Sequence, residues 1–369
     1  MHRGRFATLV IVALAVTMVV PAGAFAPQPP AQHADADRAC SFPVTEPDAS
    51  NTAITLDSEP ERVVTLNPSA AQTMWELGDR DAVVGVSQFG TYLPTASQRT
   101  VVSGGQPSQT NVEAVVGLDP DLVLAPNTVR NTTVTRLRSA GITVFQFRAA
   151  TSIDGVVEKT ATIGRLTGNC AAAAATTAEM RDRVAAIADA VPDTDSARPR
   201  VYYHLGDGYT AGPNTFIGAA IEAAGGHNIA ADVNTTSPYP QLSEEVIVSQ
   251  DPDVVVTGVS ADRLDATASA LVAPSSIVRN TTAYATGNVV AVNTNHINQP
   301  APRIVEPMAR MANAFHNTTI NTTLDAQPSA TTTATSTTPP TDAADGTAPG
   351  FGVAAAVCAL AGAALVARR

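Results

Sequence analysis

The sequence predicts an α/β fold of two parallel-sheet lobes joined by one long, rigid α-helix, with a ligand cleft between the lobes. Three observations predict it. Short apolar strands alternate with helix-forming segments, as in βα units. The same order of elements occurs twice along the chain. Between the two copies, residues 170–191 are rich in alanine and contain neither Gly nor Pro, which predicts a helix of about six turns.

The two copies divide into elements as follows. In the first copy we predict strands and helices, in chain order, at residues 62–66, 70–77, 82–86, 111–118, 122–125, 134–140 and 142–147. In the second copy we predict them at residues 200–205, 215–224, 243–250 and 254–257. One larger doubly wound domain is the alternative organisation.

A shared motif strengthens the two-lobe prediction. Glu113 and Glu245 each stand six residues before an Asp-Pro-Asp tripeptide, and each follows a helix-capping residue, Asn111 or Ser243, by two positions. In both copies an apolar strand comes next. The agreement of order, cap and tripeptide indicates that the two halves have similar structures.

The ends of the chain predict export and attachment rather than fold. Arg3 and Arg5 precede an apolar run and small residues, which is typical of a signal peptide. The Thr- and Pro-rich stretch near the other end cannot bury enough apolar area to fold. We therefore predict a signal peptide at 1–26, an N-terminal segment at 27–59, the first lobe at 60–150, a connecting helical segment at 151–197, the second lobe at 198–317, a stalk at 318–348 and a sorting tail at 349–369.

Composition and cysteine usage indicate which partners and modifications the protein has. The formal net charge is -11, which argues against nucleic acid as a partner because phosphate binding needs basic patches. Outside the tail the chain has two cysteines, Cys40 and Cys170, and export predicts that they form a disulfide. Two separate buried thiols are the alternative. We also expect glycosylation at the five Asn-x-Thr sequons, which are Asn131, Asn234, Asn280, Asn317 and Asn321.

The C-terminal tail resembles the PGF-CTERM sorting signal of archaeal surface proteins. The resemblance rests on Pro349-Gly350-Phe351, the short apolar run after it, and the terminal Arg368-Arg369. It implies a protein on the extracellular face of the cell membrane, anchored through its C-terminus after the tail is replaced by a lipid. A short tail anchor that stays in place is the alternative.

The body of the chain, about residues 60–316, resembles the family of periplasmic binding proteins for ferric siderophores, haem and cobalamin. The resemblance rests on "RVVTLNPSAAQTMWELG", "VEAVVGLDPDLVLAP", "TAGPNTFIGAAIEAAGGHNIAAD" and "YPQLSEEVIVSQDPDVVV". It implies a monomeric binding component of an ABC importer, with a permease and its ATPase as partners. It also implies that Glu113 and Glu245 engage permease arginines, with Glu244 as a neighbour in the wrong register. The alternative is that both glutamates only stabilise helix starts.

Ligand contacts are expected in loops at the carboxyl ends of the strands, as in other open parallel sheets. The candidate residues are Asn67, Ser69, Phe89, Tyr92, Asn127, Tyr209, Thr210, Tyr239, Asn295 and Gln299. These loops are rich in amides and aromatic rings and poor in cations, which favours a corrinoid such as cobalamin over a ferric siderophore or haem as the metal chelate. We expect no cofactor and no bound metal ion, because the histidines are scattered.

Rival classes find less support. The sequence has no nucleophile elbow, P-loop, dinucleotide fingerprint or zinc-protease motif, so we expect that the protein is not an enzyme. A surface sensor that binds a ligand without transport is the alternative of another class. A sensor would need neither Glu113 nor Glu245.

Overall fold

The computed structural model describes residues 41–103, 109–192 and 198–324. The predicted signal peptide, Cys40, the sorting tail and most of the predicted stalk lie outside these residues. Within the three described ranges, no helix is long and apolar enough to cross a membrane.

The first lobe is a five-stranded parallel sheet with helices on both faces. A short antiparallel hairpin, β1 and β2, precedes it. The sheet order is β5-β4-β3-β6-β7. The elements, in chain order, are β1 Val44–Pro47, β2 Ala53–Leu56, β3 Val63–Thr65, α1 Pro68–Glu76, β4 Val83–Val86, β5 Thr100–Val101, α2 Val112–Gly117, β6 Leu122–Ala125, α3 Asn131–Ser139 and β7 Val144–Gln146.

The second lobe is a four-stranded parallel sheet in the order β11-β10-β8-β9. Its central pairs have the same arrangement as those of the first lobe, with β8 in the place of β3 and β10 in the place of β6. The elements are β8 Arg200–His204, α6 Phe216–Ala223, β9 His227–Asn228, α7 Glu244–Gln250, β10 Val254–Val259, α8 Ala268–Leu271, α9 Thr282–Ala285, β11 Val289–Asn293, α10 Thr294–Ile297 and α11 Val305–His316. The predicted fold class is confirmed.

Two helices run between the lobes. Helix α4, Ile153–Leu166, packs its N-terminal half in the core of the second lobe and its C-terminal half in the core of the first. Helix α5, Cys170–Ala190, is the predicted connecting helix and returns to the second lobe. Ala173 is buried with the first lobe's core, whereas Met180 and Ile187 are buried with the second's. These three residues are seven positions apart and so lie on one face of the helix. Their burial holds α5 against both lobes.

The Asp-Pro-Asp motifs have a structural role that repeats in both lobes. The second aspartate of each motif accepts a backbone N–H bond at the start of a central strand: Asp121 Oδ2 from Arg62 at 2.8 Å, and Asp253 Oδ2 from Arg200 at 2.8 Å. In return, each arginine donates its Nε–H at 3.1 Å to a carbonyl near the end of the preceding helix, on Leu118 and on Gln250. The motif therefore ties each glutamate-bearing helix to its sheet.

The exact boundaries of the seven predicted segments stay predictions. The two sheets do fall within residues 60–150 and 198–317, and both interlobe helices fall within 151–197. The hairpin of β1 and β2 was not predicted, and neither was helix α4 as a separate element.

Candidate functional site

A cleft of about 630 Å³ lies between the lobes. Its lining comes from loops at the carboxyl ends of strands in both sheets and from the segment that leads into α4. The lining residues are Asn67, Pro68, Phe89, Pro126, Asn127, Thr128, Ala149, Ala150, Thr151, Asn214, Thr215, Phe216, Pro238, Tyr239, Thr294, Asn295, Asn298, Gln299 and Pro300.

The lining is neutral and mixes amide groups with aromatic rings. No lining residue is an aspartate, glutamate, lysine, arginine or histidine. Phe89 and Tyr239 are among the exposed large hydrophobic side chains, one in each lobe. Partial burial raises the pKa of the Tyr239 hydroxyl, so this group is uncharged and able to donate a hydrogen bond at neutral pH. Such a surface suits a ligand with an apolar face and uncharged polar edges.

Local hydrogen bonds fix two of the lining amides, Asn67 and Asn298, before a ligand arrives. Asn67 caps α1: its Oδ1 accepts from the backbone N–H of Ala70 at 3.2 Å, and its Nδ2 donates to Ser69 Oγ at 2.8 Å. On the opposite lobe, Asn298 Oδ1 accepts from the hydroxyl of Tyr203 at 2.8 Å. Preorganised polar groups lose less entropy on binding.

Six of the ten predicted ligand residues line this cleft, namely Asn67, Phe89, Asn127, Tyr239, Asn295 and Gln299. Their contacts with a ligand stay predictions. The cleft is also lined by Asn214, Phe216 and Asn298, which are not among the ten candidates. Phe216 directly follows Thr215, the cap of α6, so the predicted start of this helix is the signal that could have identified it.

The other four predicted residues lie outside the lining. Ser69 and Thr210 are completely buried, so neither side chain is available to a ligand. Tyr92 packs against the first lobe's core, and its hydroxyl accepts from Gln72 Nε2 at 2.8 Å. Tyr209 is exposed on a turn closed by its own backbone bond to Gly206. We therefore do not assign these four residues to the ligand.

Ion pairs and hydrogen bonds join the lobes beneath the cleft. Arg303 Nε donates to Glu76 Oε1 at 2.6 Å. Gln72 donates to the carbonyl of Asn295 at 3.2 Å and accepts from the backbone N–H of Arg303 at 3.3 Å. Burial raises the pKa of Tyr92 to about 12, and its hydroxyl also reaches the Asn295 carbonyl at 3.4 Å. Arg303 of the second lobe is thus engaged by a carboxylate of the first lobe.

Lys159 occupies the junction of the three parts of the molecule. It lies on α4, and its Nζ donates to Ser69 Oγ in the first lobe and to the carbonyl of Pro300 in the second at 3.2 Å. Its ammonium also sits 5.4 Å from the centre of the Phe147 ring. Burial lowers the pKa of Lys159 to about 7. The lysine holds the lobes rather than the ligand.

The two predicted docking glutamates occupy the same position in their helices. Glu113 and Glu245 are each the second residue of a short helix whose cap, Asn111 or Ser243, accepts a backbone N–H bond. Both side chains are exposed. Within the described residues, neither carboxylate has an ion-pair partner. Their role in docking stays a prediction.

The remaining predicted sites fall on the surface or at its edge. The five sequon asparagines, Asn131, Asn234, Asn280, Asn317 and Asn321, are all exposed. Cys170 is disulfide-bonded, and because Cys40 lies outside the described residues the predicted pairing stays a prediction. In the three described ranges, no group of three His, Cys, Asp or Glu residues is arranged to hold a metal ion.

Two parallel-sheet lobes, a rigid connection and a neutral cleft define a binding protein of the two-lobe class. Comparison with protein families agrees: a model described as periplasmic binding protein matches residues 63–295. The chain belongs to the periplasmic binding protein family. A PGF-CTERM motif matches residues 348–369, which identifies a surface protein anchored outside the cell through its C-terminus.

Known proteins resemble the chain to different degrees. A cobalamin-binding protein of Halobacterium salinarum is 99% identical over 369 residues, the full length of both chains. A vitamin B12-binding protein of Yersinia pestis is 27% identical over 248 residues, 66% of this chain and 82% of that protein. The solved structure of a periplasmic haem-binding protein from Roseiflexus sp. RS-1 is 24% identical, with a TM-score of 0.60 over 70% of this chain and 98% of that one. The last likeness concerns the fold alone.

Proposed function

We propose that this protein captures a corrinoid outside the cell and delivers it to the permease of an ABC importer. It acts as a monomer, and it needs no cofactor of its own because the cleft performs no chemical step. The observation that carries the proposal is the neutral lining of the cleft, with amides on both lobes and one exposed ring on each.

The lining matches the chemistry of a corrinoid. A corrin ring has an apolar face and a rim of amide side chains, so it offers stacking surface and uncharged donors and acceptors. Asn67, Asn127, Asn295 and Gln299 can exchange hydrogen bonds with such a rim, while Phe89 and Tyr239 can cover the ring. The lining itself contributes no charged side chain that binding would bury without a partner. The 99% identical protein of Halobacterium salinarum is named for cobalamin binding, which supports the same ligand.

Anionic chelates fit less well. Haem carboxylates and catecholate siderophores call for cations in the cleft, and the lining contains none. Lys159 and Arg303 lie beneath the cleft and are held by Ser69 and Glu76. A neutral ferric hydroxamate satisfies the same lining, so it is the second candidate. A sensor without transport is the candidate from another class.

Calorimetry of the purified full chain tests the ligand. We expect saturable, one-to-one heat with cyanocobalamin and a Kd below about 1 µM, and weaker or no heat with ferrichrome as the neutral hydroxamate. Binding of ferrichrome without cobalamin would reverse the ranking. If neither compound binds, a surface sensor without transport becomes the favoured function.

A further inference from the structure

The helices that carry Glu113 and Glu245 share a second feature, an exposed valine. Val116 and Val248 each follow the glutamate by three residues, and they are 41% and 37% exposed. They are two of only seven large hydrophobic side chains exposed in the described part of the chain, and both stand at the same position of the repeated motif. An isolated exposed valine needs no explanation, but the repetition does.

Neither valine is needed for the core of its lobe. The preceding residue in each helix, Val115 or Ile247, is buried and already packs the inner side. On a helix, residues three apart lie on the same side. Each valine therefore shares a solvent-facing side with its glutamate.

Both pairs are presented in the same way. Arg62 and Arg200 hold the ends of the two helices through Nε–H bonds of 3.1 Å to carbonyls, and Asp121 and Asp253 tie the same segments to the central strands. The two lobes thus carry two copies of one local surface, each combining a carboxylate with an apolar patch.

We propose that the exposed valine beside each docking glutamate, Val116 beside Glu113 and Val248 beside Glu245, also contacts the permease, so that each lobe docks through a carboxylate–valine pair. The inference rests on the proposed transport function. The partner surface is a permease built from two related halves, because two copies of one patch match a partner that repeats its own patch. Each half presents a cationic side chain next to an apolar one, which complements the unpaired carboxylate and the exposed valine.

The pairing makes docking tolerant of salt. At about 1 M salt the Debye length is about 3 Å, so attraction between the carboxylates and permease cations is strongly screened. Apolar contact is not weakened by screening. The glutamates then supply orientation at low salt, and the valines maintain affinity at high salt.

Binding of the full chain to the permease–ATPase complex in lipid nanodiscs tests the pairs at about 0.15 M and about 2 M NaCl. We expect the double variant V116S/V248S to dock about tenfold more weakly at both salt concentrations. The double variant E113Q/E245Q should dock more weakly at low salt, with a smaller loss at high salt. Val101→Ser changes an exposed valine outside both helices and should leave docking unchanged.

Cyanocobalamin affinity, measured on every variant, separates docking from folding and should stay at the wild-type value. Wild-type-like docking by V116S/V248S would overturn this inference and leave the transport function standing. A wild-type protein that binds cobalamin and does not dock at all would overturn the transport function, and this inference with it.

Discussion

The guanidinium of Arg303 in the second lobe meets the carboxylate of Glu76 in the first, with 2.6 Å between Nε and Oε1. The Glu76 side chain is only 5% exposed. Arg303 also lies 3.6 Å from Glu306 of its own lobe. An ion pair between a buried carboxylate and a partly exposed guanidinium therefore joins the lobes below the cleft. Among the described residues, only the arginine of this pair has a second ionic partner.

Breaking this pair should be costly, and more so from the arginine side. Arg303→Met leaves the Glu76 carboxylate buried without a partner and should lower the free energy of unfolding by about 2–3 kcal/mol, since the arginine is partly exposed. Glu76→Gln should cost less, because Arg303 keeps Glu306. The double variant should recover part of the loss. Urea denaturation measures these changes.

Arg99 provides the control for the ion pair. Its Nη2 lies 3.4 Å from Oδ1 of Asp81, and the Asp81 side chain is almost fully exposed. Arg99→Met should change stability by less than about 0.5 kcal/mol. If Arg303→Met is as mild as Arg99→Met, the interlobe pair does not hold the lobes together.

Lys159 should titrate near neutrality. Burial lowers its folded-state pKa to about 7, whereas an unfolded lysine has a pKa of about 10.4. Between these two pKa values the unfolded chain binds a proton that the folded chain does not. The free energy of unfolding therefore rises with pH from about 7 to about 10. Below pH 7 both states are protonated and the contribution no longer changes.

The chain has a single lysine, so the measurement is direct. In protein labelled with ¹³C at lysine Cε, we expect one resonance with a midpoint near 7. Lys159→Met should remove the rise in the urea midpoint between pH 7 and 9. A lysine resonance that titrates near 10 would contradict the lowered pKa.

Gly164 permits the two interlobe helices to touch. A Cβ at this position would come within 2.2 Å of Ala173 Cβ, so Gly164→Ala should destabilise the protein by about 1–3 kcal/mol. Gly117 ends a helix with nothing within 4 Å of such a Cβ, and Gly117→Ala should be neutral or slightly stabilising. Thermal unfolding of both variants checks the difference. Equal melting temperatures would show that the helices separate at little cost.

Aromatic contact should dominate corrinoid affinity. Tyr239 lines the cleft, and Tyr239→Ala should weaken cyanocobalamin binding about tenfold or more. Tyr209→Ala removes an equally exposed ring outside the lining and serves as the matched control. Calorimetry gives both affinities. A larger loss for Tyr209→Ala would place the ligand elsewhere in the second lobe.

The glutamates should matter for uptake and not for capture. Replacing Glu113 and Glu245 together by Ala should abolish importer-dependent uptake of labelled cobalamin while its Kd stays nearly constant, because both side chains are exposed outside the cleft. Each single variant should lose uptake only in part. Glu244→Ala is the adjacent control and should transport normally. A collapse of affinity would mean that the glutamates bind the ligand.

Several features followed from the sequence because they are locally encoded. The alanine-rich run formed the helix Cys170–Ala190, and the four apolar residues after the first Asp-Pro-Asp formed the strand Leu122–Ala125. The caps Asn111 and Ser243 accept the backbone bonds that the pattern predicts. The signals for these elements lie close together in the chain, and the cap and the strand after Asp-Pro-Asp each occur twice.

The tertiary structure decided which residues of a predicted loop face the cleft. Asn67 and Ser69 are two positions apart, yet Asn67 lines the cleft and Ser69 is buried against Lys159. The contact that buries Ser69 spans 90 positions of the chain, and the one between Glu76 and Arg303 spans 227. By itself the sequence determined the class, the two lobes and their helix starts, since propensity and periodicity act locally. Which side chains meet across the lobes depends on how the two sheets are held by α4 and α5, and only the folded chain specifies that arrangement.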